Sequence, residues 1–395
     1  MAIHDEVKKI ADDIYAKLID IRRGIHKFPE LGLKTYRTAE LITGHLTGLG
    51  VEVTKAADGS GVVGLIRGKA GSKTVALRAD IDALPVNEEN SFEYRSCISG
   101  AMHACGHDFH TACLLGASEI LYRLKDKING NIKLLFQPGE EGLDGALAMI
   151  EEDVLENPHV NACIAAHVWP YVPVGKIAVI YGPSFSAINN FIITITGKGG
   201  HGAMPHDTVD PIIAGCNIIN ALQTIKSRRI DSFEPATVSI CSFNAGTSVN
   251  IIPDTAVIGG TLRTFNLDLR KKIETMICEI SKGIAEPMGA KVSVQFMNEA
   301  PPVMNDREIT ELFINSASKI AGKENIITDI RPAMVSEDFA FFSEKVPSTY
   351  FWLGCRNEEK GMIHPLHSSN FQGDEECIKI GAAAFAQFAI DYLAI

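Results

Sequence analysis

Four short apolar runs constrain this chain more than any other feature: VVGLIRG (62–68), TVALRADID (74–82), NIKLLFQPGEEG (131–142) and ACIAAHVW (162–169). All four read as strands, and the first two, short and flanked by glycines, as strands buried on both faces. Helical patterns lie around them. Residues 5–28 place Val7, Ile10, Ile14, Leu18, Ile21 and Ile25 at three- and four-residue steps, and a second pattern runs from Thr35 to Gly48 and Gly50. Further helices are expected from Thr111 to Leu124 and from about Ala146 to Glu156. Strands alternating with helices predict an α/β domain with a largely parallel sheet.

Near Gly182 the rhythm changes. NFIITITGKG, a helix over Thr208–Ser227, ATVSICSF, TAVIGGTLRTF, a helix over Leu267–Met288 and KVSVQFM follow in order. That order, βαββαβ, predicts a ferredoxin-like unit. After Pro301-Pro302 the earlier style returns, and 395 residues exceed what one core usually holds. The expectation is a discontinuous domain, 1–185 with 300–395, and an inserted domain, 186–299. Linkers near 184–187 and 299–303 would carry a hinge.

The chemistry gathers at strand ends, where open α/β sheets bind ligands. HACGHDFHT, His103 to Thr111, holds three histidines, a cysteine and an aspartate in nine residues. TVALRADID ends in Asp80 and Asp82, FQPGEEG puts Glu140 and Glu141 after a strand, AAHVW puts His167 at the end of another, and HSSNF supplies His367. Taken singly, Cys105 is a small buried hydrophobe, Glu140-Glu141 a solvated turn, and His-Asp-x-x-His a surface feature. Taken together, Cys105, His107, Glu141, His167 and His367 make a donor set suited to zinc, manganese, cobalt or nickel rather than calcium or magnesium. In a turn, one of two adjacent carboxylates can ligate while the other addresses metal-bound water, the division that hydrolysis requires.

Bulk properties exclude several classes. A formal net charge of -11 disfavours nucleic acid and anionic membrane surfaces as partners. Nine scattered cysteines form no close-spaced disulfide framework, which predicts a reducing, cytoplasmic setting. The opening MAIHDEVKKIADDIYAKLIDIRRGIHKF is charged throughout, unlike a secretory leader, and no apolar stretch approaches the roughly 18 residues of a membrane span.

HACGHDFHTA, QPGEEG, GKGGHGAMPH, SVNIIPD, GTLRTF, SEDFAFF and HSSNF occur in the order seen in a family of dinuclear metal amidohydrolases. The chain resembles its aminoacylases and carboxypeptidases, and most of all the branch of hippurate hydrolases, N-acetyl-amino-acid deacetylases and auxin–amino-acid conjugate hydrolases. The resemblance implies a metal-binding α/β catalytic domain with an inserted lid that often mediates homodimerisation. It implies two divalent ions per subunit on Cys105, His107, Glu141, His167 and His367, with Glu140 as general base. His201, in GGHGAMPH, would polarise the scissile carbonyl, and Asn250 and Arg263 would hold the substrate's carboxylate; in some relatives the lid histidine comes from the dimer partner. More distant relatives carry a ligating histidine on a His-x-Asp strand, where this chain has Arg78-Ala79-Asp80. Arginine cannot ligate. His107 would then supply the imidazole, and Cys105 would replace a bridging carboxylate.

The activity so implied is hydrolysis of the amide bond of an N-acyl amino acid. A metallo-dipeptidase or carboxypeptidase on the same scaffold is the alternative, because the scissile amide is the same. A cysteine hydrolase with Cys105 as nucleophile and His103 or His107 as base would leave Glu141, His167 and His367 without roles. A silent binding protein would have no use for Glu140.

Overall fold

The computed structural model describes residues 2–394. Its first unit comprises Met1–Ser184, Val303–Pro332 and Glu337–Ile395, and its second comprises Phe185–Pro302 with Ala333–Ser336. The sequence pattern put the boundaries at 185/186 and 299/300 and did not single out 333–336. That short stretch joins the second unit through backbone: Ser186 N–H donates to the Val335 carbonyl, and Phe185 bridges to Ala333.

An eight-stranded sheet forms the first unit, in the order Glu52–Ala56, Gly61–Arg67, Asn131–Gln137, Thr74–Asp80, Ala162–Pro173, Ser348–Arg356, Ile177–Val179, Ile326–Ile327. The four middle strands run parallel, whereas the first three strands of that order pair antiparallel, as does Ile177–Val179 with Ser348–Arg356. The sheet is therefore mixed, parallel at its centre. Every residue of Thr74–Asp80 is buried, as a central parallel strand covered on both faces requires. Helices Ile3–His26, His107–Arg123 and Glu376–Leu393 pack on one another. Val7, Ala11, Ile14, Leu18 and Ile25 form the buried stripe of the first.

Two differences from the expected elements bear on chemistry. The helix expected from Thr111 begins at His107, because Gly106 at φ +85° turns the chain directly into it. The strand bearing His167 does not end there but continues to Pro173. Arg78 pairs with Ala165, so His167 lies level with Asp80, where the neighbouring strand stops.

The second unit is a four-stranded antiparallel sheet, ordered Ala236–Ala245, Thr255–Thr264, Ala187–Thr196, Lys291–Ala300. Helices Pro211–Leu222 and Leu267–Ala285 complete a βαββαβ unit with its own core around Phe191, Ile193, Ile258 and Ile273. Asp210 and Asn266 cap these helices by accepting from the second and third backbone N–H groups. Among the described residues, no helix is long and apolar enough to cross a membrane.

Candidate metal centre

Gly106 explains how two donors one residue apart face the same point. Its left-handed backbone reverses the chain between Cys105 and His107, and a Cβ there would lie 2.4 Å from Val168 Cγ2. Only glycine fits. Asp108 then anchors the helix's first turn through ion pairs with Arg22 and His26, both at 2.7 Å.

Asp82 organises the centre from behind. His107 Nδ1 lies 3.2 Å from one of its oxygens, and the backbone N–H groups of Glu140 and Glu141 donate to the same carboxylate at 3.2 and 3.3 Å. With Nδ1 engaged, the Nε2 lone pair of His107 is left for a ligand. His167 is oriented likewise, its Nδ1 donating to the Val168 carbonyl at 2.7 Å. His367 sits at φ 64°, a conformation few non-glycine residues adopt, held by its N–H donating to the Ala104 carbonyl.

Two of the donor groups that result share one sulfur. Cys105, His107 and His167 form the first; Cys105, Glu141 and His367 form the second, with ligand atoms in each group within 4.8 Å of one another. Cys105 Sγ is 3.3 Å from Nε2 of both His167 and His367. His107 Nε2 and Glu141 Oε1 are buried, face each other at 3.9 Å, and have no hydrogen-bond partner. Two such acceptors in a buried site need a cation between them, either a proton on the imidazole or a bound metal ion. The residues therefore fit divalent metal, and the shared thiolate fits two ions.

The electrostatics carry the same strain. Burial, and then Glu337, Glu141 and Asp338, push Glu140 well above the carboxylate range. Burial lifts Glu141 to about 7 despite His107. Burial disfavours charge on His107, yet Asp80, Asp82 and Glu141 outweigh it and raise that imidazole to about 10. Burial together with Glu141 and Glu140 pushes the Cys105 thiol well up, the reverse of what a free nucleophilic thiolate requires. A bound cation inverts each of these preferences.

Arg78 and His110 stand outside the donor set for visible reasons. The buried Arg78 guanidinium donates to Gln137 (2.9 Å), Asp80 (2.7 Å), Glu337 (3.0 Å) and Asp338 (2.9 Å). It is a resident cation that ties the SEDFAFF segment to the strand ends. His110 bonds Asp80 through Nδ1, and its Nε2 accepts from the Val168 N–H at 2.8 Å, which leaves no lone pair for metal. Asp80, occupied by Arg78 and His110, is likewise no free ligand. Sequence reasoning flagged Asp80 and Asp82 only as metal candidates and attached no role to Glu337 or Asp338. Their positions at strand ends were legible, but their partners were not. Asp82→Ala should weaken metal binding about 10- to 100-fold, the usual cost of losing such a supporting carboxylate. Titration against a metallochromic chelator measures it, and unchanged affinity would remove Asp82 from this role.

The other three sequence-derived candidates belong to the second unit. His201 and Asn250 lie side by side: His201 pairs with Ile251 in a two-stranded ladder, and the Gly202 N–H donates to the Asn250 carbonyl at 2.9 Å. Both are exposed. Arg263, half-buried on Thr255–Thr264, donates to Ser336 Oγ at 3.0 Å, and burial lowers its pKa from the usual value.

The chain is similar to known proteins along nearly its whole length. Residues 76–391 match the model of Peptidase family M20/M25/M40. Thermostable carboxypeptidase 1 of Saccharolobus solfataricus is 42% identical over 99% of both chains. N-acetyl-L-cysteine deacetylase of Bacillus subtilis is 38% identical over 92% of this chain and 85% of its own. A Bacillus subtilis structure described as a dinuclear metal binding peptidase of the M20 family superposes with a TM-score of 0.83, at 33% identity over 97% of this chain and 99% of that one. A βαββαβ unit, a mixed α/β sheet and a candidate donor set for two divalent ions thus accompany a match over most of the sequence: the chain belongs to Peptidase family M20/M25/M40, the metal-dependent amidohydrolases and peptidases.

Proposed function

We propose that this enzyme hydrolyses N-acyl amino acids to a carboxylic acid and a free amino acid, with Cys105, His107, Glu141, His167 and His367 as metal ligands and Glu140 as general base and acid. One observation carries the reading. Glu140 and Glu141, adjacent in sequence, both approach His107 Nε2 at 3.9 Å, yet Glu141 also meets Cys105 and His367 while Glu140 stands beside Glu337 and Asp338. That asymmetry supports one ligand and one base. Divalent metal, when bound, supplies Lewis acidity and lowers the pKa of water toward about 7. Glu140, buried beside Glu141, would take a proton from the attacking water and deliver it to the departing nitrogen. His201 stabilises the developing oxyanion. Arg263 and Asn250 read the substrate carboxylate, for which a planar guanidinium is well shaped.

Zinc, manganese, cobalt and nickel all suit this mixed donor set. We place the enzyme in a reducing cytoplasm, in keeping with nine free cysteines among the described residues. We assign it a homodimer through the second unit, whose edge strand Ala236–Ala245 is exposed or half-exposed along its length. Relatives named as carboxypeptidases support a second reading, cleavage of a C-terminal residue from a peptide. A panel of N-acyl amino acids and dipeptides, assayed with each metal, separates the two. Hydrolysis of dipeptides alone would reverse the order.

Arg263 offers a sharper check. A hydrogen bond to a charged group is worth about 1.5–3 kcal/mol, so Arg263→Ala should cost about 10- to 150-fold in kcat/KM on a carboxylate substrate. The matching carboxamide should lose far less, and metal content should stay the same. Equal losses on acid and amide would mean that Arg263 supports the unit's structure and does not read substrate.

A further inference from the structure

His367 stands apart from the other proposed ligands. Cys105, His107 and His167 are buried, whereas the His367 side chain is 55% exposed. Packing fixes the first three and does little for His367. Its backbone nevertheless holds φ at 64°, a conformation that persists only where the surroundings over-determine it. One restraint is the His367 N–H on the Ala104 carbonyl at 2.8 Å. Others act on the turn that follows, and they come from residues 88–90, far away in sequence. Glu89 N–H donates to the Ser369 carbonyl at 3.0 Å, and Ser369 Oγ donates back to the Glu89 carboxylate at 3.1 Å. Asn90 Nδ2 donates to the Phe371 carbonyl at 3.3 Å, and Asn90 Oδ1 accepts from Gln372 Nε2 at 2.8 Å. Asn90 is buried, which shields its bonds from competing water.

Glu88 reaches the other way. Its Oε1 accepts from Asn90 Nδ2 at 3.0 Å and lies 3.1 Å from His26 Nε2, and His26 Nδ1 is 2.7 Å from Asp108, the neighbour of His107. Residues 88–90 thus grip both the turn after His367 and the helix that begins at His107. We propose that they form a positioning strap that holds His367 ready for metal, so that one of the two ions depends on the strap and the other does not. This rests on the reading of Cys105, Glu141 and His367 as metal donors. An exposed imidazole has freedom to lose when it ligates, and a strap that removes this freedom beforehand strengthens binding. His107 and His167 need no such help, because burial, Asp82 and the Val168 carbonyl already orient them.

Titrating metal-free protein with zinc against a metallochromic chelator gives the number of sites and the affinity of each. The wild-type protein should take up two ions. Asn90→Leu, close in size but unable to make the three side-chain bonds, should weaken one ion about 10- to 100-fold, the usual cost of losing an outer support, and leave the other as it was. Gln372→Leu, at a half-buried position, should weaken the same ion by less, and it carries the test if Asn90→Leu does not fold. His367→Ala supplies the decisive background. Neither strap substitution should change the zinc binding that remains there, since two changes that act through one residue do not add. Unchanged affinities in the strap variants would show that Phe371, buried against Gly106, anchors the turn by itself, and would overturn the proposal. Losses spread over both ions, or losses that persist beside His367→Ala, would overturn it as well, because the strap would then act on the fold or on His107. A wild-type protein that binds fewer than two zinc ions would remove the proposed centre, and the strap with it. Two ions held equally well by the wild type and every strap variant would spare the centre and remove only the strap.

Discussion

Protein stripped of divalent metal should hydrolyse no N-acyl amino acid at a measurable rate, and metal added back should restore turnover. Nothing else near Cys105 can activate water as strongly: a bound divalent ion lowers its pKa from 15.7 to about 7. The thiol itself is a poor substitute, since burial and the carboxylates of Glu141 and Glu140 hold its proton on. His107→Ala and His167→Ala should lose bound metal together with rate, because each removes a buried donor whose other ring nitrogen is already committed, to Asp82 and to the Val168 carbonyl. Elemental analysis beside the hydrolysis assay decides the matter. Full activity in protein that holds no divalent metal would sink the proposed centre.

Glu140→Gln should behave differently. Turnover should drop by something like 10²–10⁴-fold, the usual contribution of a general acid–base group, while metal content and substrate binding remain. The amide is isosteric with the carboxylate, and the Glu140 N–H that Asp82 holds belongs to the backbone, so the turn should keep its shape. Glu141→Gln, by contrast, removes a charged donor that meets Cys105 and His367 and should reduce metal as well as rate. If the two variants exchanged these signatures, the division of labour between the adjacent carboxylates would be the opposite of the one proposed.

The types of element were written into the residues themselves. A run such as TVALRAD is too apolar for a surface strand, and Val7, Ile14, Leu18 and Ile25 repeat at a helix's period, so local pattern dictated strand and helix. The order of strand and helix patterns between 190 and 297 did the same for βαββαβ. Donor chemistry was equally local: Cys105, His107, Glu141, His167 and His367 are of residue types able to ligate metal. What residue pattern could not convey was pairing across distance. The antiparallel strands at the sheet's edges follow from register between segments far apart in sequence, and so does the placement of His167 level with Asp80. The start of the donor helix at His107 depends on one left-handed glycine pressed against Val168.

The same limit separates ligands from their supports. In the sequence Asp80, Asp82, His110 and His107 look alike as candidates, because lone pairs are a property of the residue. Only tertiary structure decides which lone pairs are already spent: Asp80 on Arg78 and His110, His110 on the Val168 N–H, and Asp82 on His107 and two backbone N–H groups. His107 Nε2 and Glu141 Oε1 remain without a hydrogen-bond partner. Composition and spacing thus supplied side chains able to bind metal, and hydrogen bonds across distant strands left two of them, His107 Nε2 and Glu141 Oε1, without a hydrogen-bond partner at the proposed centre.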